Sequence, residues 1–166
     1  VVQRKGQSVG SVIGVEETGM GPRHAFLGAV DCSENNRKAI ELARSLVNGL
    51  GGRITLVTVF DPTPMVPAME LATLADTWWN LMDDQEARLL RLLEEMRSEL
   101  LDGITSSVLV RRSPTIPEGI AAAADETGAD MVIVGSHGRS GIKRVLLGSV
   151  AESIVRRSTR PVLVAR

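Results

Sequence analysis

The chain is poor in several residue types that carry chemistry. One cysteine, Cys32, stands in 166 residues. That excludes an intrachain disulfide and a cysteine-rich metal site, and it suits the reducing cytosol, so a cytoplasmic location is expected. Cys32 itself reads as a small, partly buried residue. No apolar run approaches the roughly 20 residues that span a bilayer, and the first residues lack the basic-then-apolar order of a signal peptide. The formal net charge is -1, so no global field draws the chain to nucleic acid or to a membrane. Two phosphate-binding patterns are missing as well. No GxGxxG follows the first predicted strand, which runs instead into DCSENN, and this disfavours the usual dinucleotide fold. No GxxxxGK with Ser or Thr occurs either: Gly141 is followed by Ile142, which removes the P-loop NTPases.

What is present fits a single globular domain. The length allows one core without staples, and 43% hydrophobic with 23% charged residues is ordinary for a soluble fold. The charge is uneven. Pro67 to Gly103 holds three Lys or Arg against nine Asp or Glu, whereas from Ile104 onward nine basic residues face five acidic ones. The chain begins at Val1 rather than methionine, which leaves open a processed product or a piece of something longer.

Residues 1–24 carry five glycines and little helical periodicity, and read as an extended arm or linker with room for one short strand. The domain is expected over 25–166. AFLGAV, from Ala25 to Val30, is the first apolar strand; SENNRKAIELARSLVNGLGG then reads as a helix with Ser33 as N-cap and a glycine stop. RITLVTVF, from Arg53 to Phe60, is a second strand, and the proline-rich DPTPMVP a loop. From about Ala68 to Asp102 a long helix repeats Leu89, Leu92, Leu93, Met96 and Leu100 at helical spacing. Trp78 and Trp79 interrupt its first half; adjacent positions diverge by about 100°, so at most one faces the core and the other packs under a loop or partner. SSVLVRR, DMVIV and PVLVA supply three more strands, with a helix from Ile116 to Thr127 after the first of them. Five short apolar strands separated by helices predict an α/β fold, one parallel five-stranded sheet with helices on both faces; right-handed crossovers restrict its topology, and the order adopted is 3-2-1-4-5. Strand order then reverses between the first and fourth strands, where such sheets bind ligands.

The run GSHGRSGIKRVLLGS, from Gly135 to Ser149, follows the fourth strand. Gly135, Gly138 and Gly148 let a phosphate approach the main chain and tolerate positive φ. The amides of Ser149 and Val150, with the Ser149 hydroxyl, open a helix and suit anionic oxygens. Arg139, Lys143 and Arg144 lie inside the loop. At the switch point Asp31 can accept from a ribose hydroxyl or an exocyclic amine, the main chain at Val59 can bond a base edge, and Val30 and Val59 can flank its face. A purine nucleotide fits these parts best.

GxxG, nine residues, then Gly-Ser resembles the motif of the universal stress proteins, in particular their ATP-binding branch. The likeness runs from about residue 25 to the end, through VDCSEN, TVFDP, GADMVIVGSHGRSG, LLGSVAESI and RPVLVAR. It implies adenine nucleotide at the switch point, with ATP, ADP or AMP as ligand and Mg2+ or Mn2+ held through the phosphates. It also implies a homodimer through the last strand, whose apolar edge would otherwise stay open. Carried across by position, Asp31 and Val59 meet the adenosine and Gly135 the ribose. Gly138, Gly148, Ser149 and Val150 surround the phosphates, Val30 and Val134 belong to the wall, and Arg139 is a basic neighbour. Three departures from the family pattern stand out. Cys32 takes a place where glycine or a bulky apolar residue is commoner, SPTIP (Ser113 to Pro117) replaces a Gly-x-Pro turn, and the arm has no counterpart.

Turnover would need a positioned water and a group to orient it. His137 is the loop's only side chain titrating near neutrality, and no carboxylate stands in sequence to orient it. The expectation is therefore a nucleotide-binding regulatory module of a stress or signalling response with no catalytic residue assigned. A slow ATPase or phosphoryl or adenylyl transferase at the same site, and an interaction domain of a tandem or transporter-fused protein, are the alternatives.

Overall fold

A computed structural model of the chain describes residues 11–14, 24–32, 36–63, 68–136 and 147–166, with the backbone alone at 11–14 and 68–73. Six strands form one sheet: β1 (Ser11–Gly14), β2 (Ala25–Ala29), β3 (Arg53–Phe60), β4 (Ser106–Arg112), β5 (Met131–Gly135) and β6 (Val162–Ala165). Their order is β1-β4-β3-β2-β5-β6. The five predicted strands are β2 to β6, and they are parallel in the predicted order. The sixth, β1, comes from the arm and pairs antiparallel with β4, Ser11 opposite Val110. It covers an edge that would otherwise show unpaired amides and carbonyls.

Four helices connect the parallel strands: α1 (Arg37–Leu50), α2 (Ala68–Leu100), α3 (Ile116–Glu126) and α4 (Ser149–Arg157). Strand residues alternate between the two faces, as a period of two requires. Phe26, Ile54, Leu56, Val108, Val110 and Ile133 pack toward α1 and α2 with Ile40, Val47, Leu89 and Leu93. Leu27, Val57, Leu109, Val132 and Val134 pack toward α3 and α4 with Ile120, Ala123, Ala124, Ala151 and Ile154. All five residues of β2 are buried, as a central strand covered on both faces must be.

The first helix is described from Asn36 onward. Ser33 lies outside the described residues, and α1 opens at Arg37 with Asn36 as N-cap. Asn36 makes no side-chain capping bond; its amide instead donates to the Asp31 carboxylate. In α2 the tryptophans divide as adjacent helical positions should: Trp78 is half-buried and Trp79 exposed.

Candidate functional site

Where β2 and β5 lie side by side, α1 follows the first on one face and α4 the second on the other. This divergence opens the sheet's C-terminal edge. A cavity of about 430 Å³ occupies it, within the range of small-molecule sites. Val30, Asp31, Val59, Val134, Gly135, Gly148, Ser149 and Val150 all line it. Eight of the ten candidate residues thus share one wall, although they come from three strand ends and one helix start. Gly138 and Arg139 lie outside the described residues, as do His137, Lys143 and Arg144.

Backbone bonds hold these strand ends in place. The Val30 amide donates to the Val57 carbonyl at 2.9 Å and the Ser136 amide to Ala165 at 2.7 Å; the Gly148 amide closes on the Ser136 carbonyl at 2.8 Å. That last bond ties the two ends of the glycine loop together and aims α4 at the cavity. Within α4 the first bond runs from the Glu152 amide to the Gly148 carbonyl at 2.8 Å. The amides of Ser149, Val150 and Ala151 therefore have no acceptor inside the helix, and the positive end of its dipole meets the cavity.

The two described glycines of the motif do not owe their places to a positive φ. Gly148 has φ -69 and Gly135 is in a strand, so neither needs the left-handed region that sequence reasoning allowed for. Among the described residues Cys32 is the non-glycine that does adopt it, at φ 56, a conformation glycine takes without steric cost.

The structure adds wall residues that sequence reasoning missed. Asn36, buried at the start of α1, lines the cavity and orients Asp31. Gln85 and Leu89 of α2 and Phe60 of β3 close one side; Ile116 and Ile120 of α3 close another. The SPTIP turn brings that second pair in. The Ser113 amide donates to the Phe60 carbonyl at 3.0 Å and its hydroxyl to the Thr115 carbonyl at 2.9 Å, so α3 starts directly beside β3. Gly119 then packs so closely on Val59 that a Cβ would fall 2.4 Å from the valine Cγ1. Helical spacing of Ile116, Gly119 and Ile120 was the available signal. No comparable signal marks Asn36 or Gln85.

The residues, their loop closure and the fold meet in one family. A model described as the universal stress protein family matches residues 23–166. The chain belongs to the universal stress protein family. It is 45% identical over 49 residues to Universal stress protein MJ0577 of Methanocaldococcus jannaschii, a stretch that is 30% of each chain. The solved structure of hypothetical protein MJ0577 superposes with a TM-score of 0.70 at 27% identity, covering 86% of this chain and 94% of that one. A universal stress protein in complex with cAMP has a TM-score of 0.59 at 21% identity, over 88% and 98% of the two chains, a likeness of fold alone. The chain matches less than a third of the length of the first curated relatives, 30% of one and 27% of three mycobacterial proteins. Among the described residues no helix is long and apolar enough to cross a membrane.

Proposed function

We propose that this chain is an ATP-binding universal stress protein module in which adenine nucleotide occupies the cavity between the ends of β2 and β5 and regulates a stress or signalling response. The observation that carries the reading is the convergence of Asp31, Val59, Gly135, Gly148, Ser149 and Val150 on one cavity, with a helix N-terminus at its edge. The residues fit such a ligand. Val30, Val59 and Val134 offer apolar faces to a base, Asp31 is an acceptor for its amine or for a ribose hydroxyl, and the α4 amides suit phosphate oxygens. Gly138 and Arg139 belong to the phosphate end, and Mg2+ or Mn2+ would be held through the phosphates. The cAMP complex of a fold neighbour is a property of that protein; this chain's own residues carry the reading here.

Residues 25–166 form the nucleotide-binding unit and 1–24 an appended arm, in keeping with the 23–166 family match. The half-buried edge strand β6 supports a homodimer through it, which sedimentation at micromolar concentration tests; a monomer there overturns it. The binding test is direct. Purified protein, once denatured, releases an adenine nucleotide, and Gly148→Val, which crowds the approach to α4, abolishes its retention. Unchanged retention in Gly148→Val rejects the site.

A further inference from the structure

Arg112, the last residue of β4, joins two walls of the cavity without lining it. Its Nε donates to Glu86 Oε2 at 2.8 Å and its Nη2 to Asp83 Oδ1 at 2.6 Å, so one guanidinium fork grips two acidic side chains one turn apart on α2. The guanidinium carbon also lies 5.9 Å from the centre of the Phe60 ring, within cation–π range. Phe60 lines the cavity from β3, and Gln85 and Leu89 line it from α2 beside the gripped pair. Burial of the Arg112 guanidinium opposes its charge, but the hydrogen bonds of Asp83 and Glu86 outweigh this and raise its pKa.

This grip falls where α2 has little apolar anchorage. Leu89, Leu93 and Leu100 are buried, whereas Leu74, Trp79 and Leu81, farther toward the N-terminus, are exposed. Arg112 ends β4 and meets α2 at 83 and 86, beside the Gln85 and Leu89 that line the cavity. There the Arg112 grip adds to the core packing that Leu89 supplies to the same wall. Lysine is no substitute, because a point charge on a flexible stem cannot satisfy two carboxylates and lie over a ring at once.

We propose that Arg112 is a positioning residue that fixes the α2 wall of the cavity against Phe60 and thereby sets how tightly a nucleotide is held. The second half of this rests on the nucleotide reading above; the first half does not.

The experiment uses the full chain with Arg112→Gln, Arg112→Lys and Asp83→Asn, and Ile40→Val as a core control. ATP affinity is measured by equilibrium dialysis, and acrylamide quenching of Trp78 and Trp79, the only tryptophans, is measured without nucleotide. Thermal melts establish folding. Arg112→Gln is expected to raise the Kd for ATP about tenfold and to increase quenching, and Arg112→Lys to restore only part of each. Asp83→Asn, which removes an exposed partner, is expected to raise Kd about twofold. Ile40→Val should lower the melting temperature and leave Kd and quenching unchanged. Wild-type Kd and quenching in folded Arg112→Gln overturn the proposal, as does an equal rise in Kd in Ile40→Val. Should Arg112→Gln not fold, wild-type values in both Arg112→Lys and Asp83→Asn overturn it. Absence of ATP binding by the wild type rejects the nucleotide reading, and quenching still decides the clamp: no change among the Arg112 and Asp83 variants overturns it.

Discussion

The two helix layers cover the same sheet by different means. On one face α1 and α2 bury large aliphatic side chains, Ile40, Val47, Leu89, Leu93 and Leu100, against Phe26, Ile54 and Leu56. On the other, α3 and α4 meet the sheet through the small residues Gly119, Ala123, Ala124 and Ala151 together with Ile120 and Ile154. Small residues let a helix axis approach closely and leave little slack. The difference tracks the site: the close-packed layer presents the α4 N-terminus and the Val59 wall, while the bulky layer supplies Gln85 and Leu89, with α2 held by Arg112 where its core packing thins out. Close contact of small residues thus marks one side, and aliphatic packing with the Arg112 ion pairs the other.

Substitutions at four positions test that contrast. The largest loss of stability is expected from Leu93→Ala, which empties a fully buried position in the α1/α2 layer and should cost about 2–5 kcal/mol in denaturant unfolding. Nucleotide retention by the remaining folded protein should persist, because Leu93 does not line the cavity. Gly119→Ala reverses that balance. Its Cβ meets Val59 Cγ1 at 2.4 Å and Ser113 Cβ at 2.9 Å, so overpacking of about 1–3 kcal/mol is only partly offset by better helix propensity, about 1 kcal/mol. Affinity should fall more than stability, since Val59 must move; a variant that is as tight as wild type would show that the α3 layer has slack.

At Cys32 the comparison is between two replacements. Both remove the sulfur, but Ala retains a side chain at φ 56 and Gly does not. Cys32→Gly is therefore expected to be more stable than Cys32→Ala by about 1 kcal/mol, as read by melting; the opposite order would contradict a left-handed backbone there. The smallest effect concerns the acid limb of stability. The hydrogen bond from Arg97 holds the Glu94 carboxyl below its ordinary value of 4.5. A carboxyl with a depressed folded pKa stabilises above that ordinary value and loses its contribution as pH falls through the folded one. Glu94 is 38% exposed, so the difference between wild type and Glu94→Gln should be under about 1 kcal/mol at neutral pH. It should vanish well below pH 4.5. A gap that persists in acid would remove the ion pair as its cause.

Most of the secondary structure was legible because it is local. Strands such as Arg53–Phe60 and Ser106–Arg112, and the helix from Ile116, announce themselves through apolar runs and helical spacing. The glycine–serine motif was legible because it consists of residue types at a fixed spacing along the chain. The start of α1 is only partly open to comparison: Ser33 and Glu34 lie outside the described residues, while Asn36, a residue type that favours caps, turns its amide to Asp31 instead of capping the helix. A capping preference is worth about 1 kcal/mol, small enough for a tertiary hydrogen bond to override. The arm's strand was visible only as a possibility, since four residues without alternation become a strand only when an edge such as β4 receives them.

The sequence by itself therefore determined the layer architecture and the glycine–serine motif and narrowed the strand order, because periodicity, spacing and crossover handedness are properties of the chain read in order. Only the tertiary structure decided which residues from distant segments share the cavity wall. Asn36 against Asp31, Gly119 against Val59, and Arg112 between Phe60 and α2 are pairings across the fold. Each depends on where one segment ends relative to another, and no local preference encodes that distance.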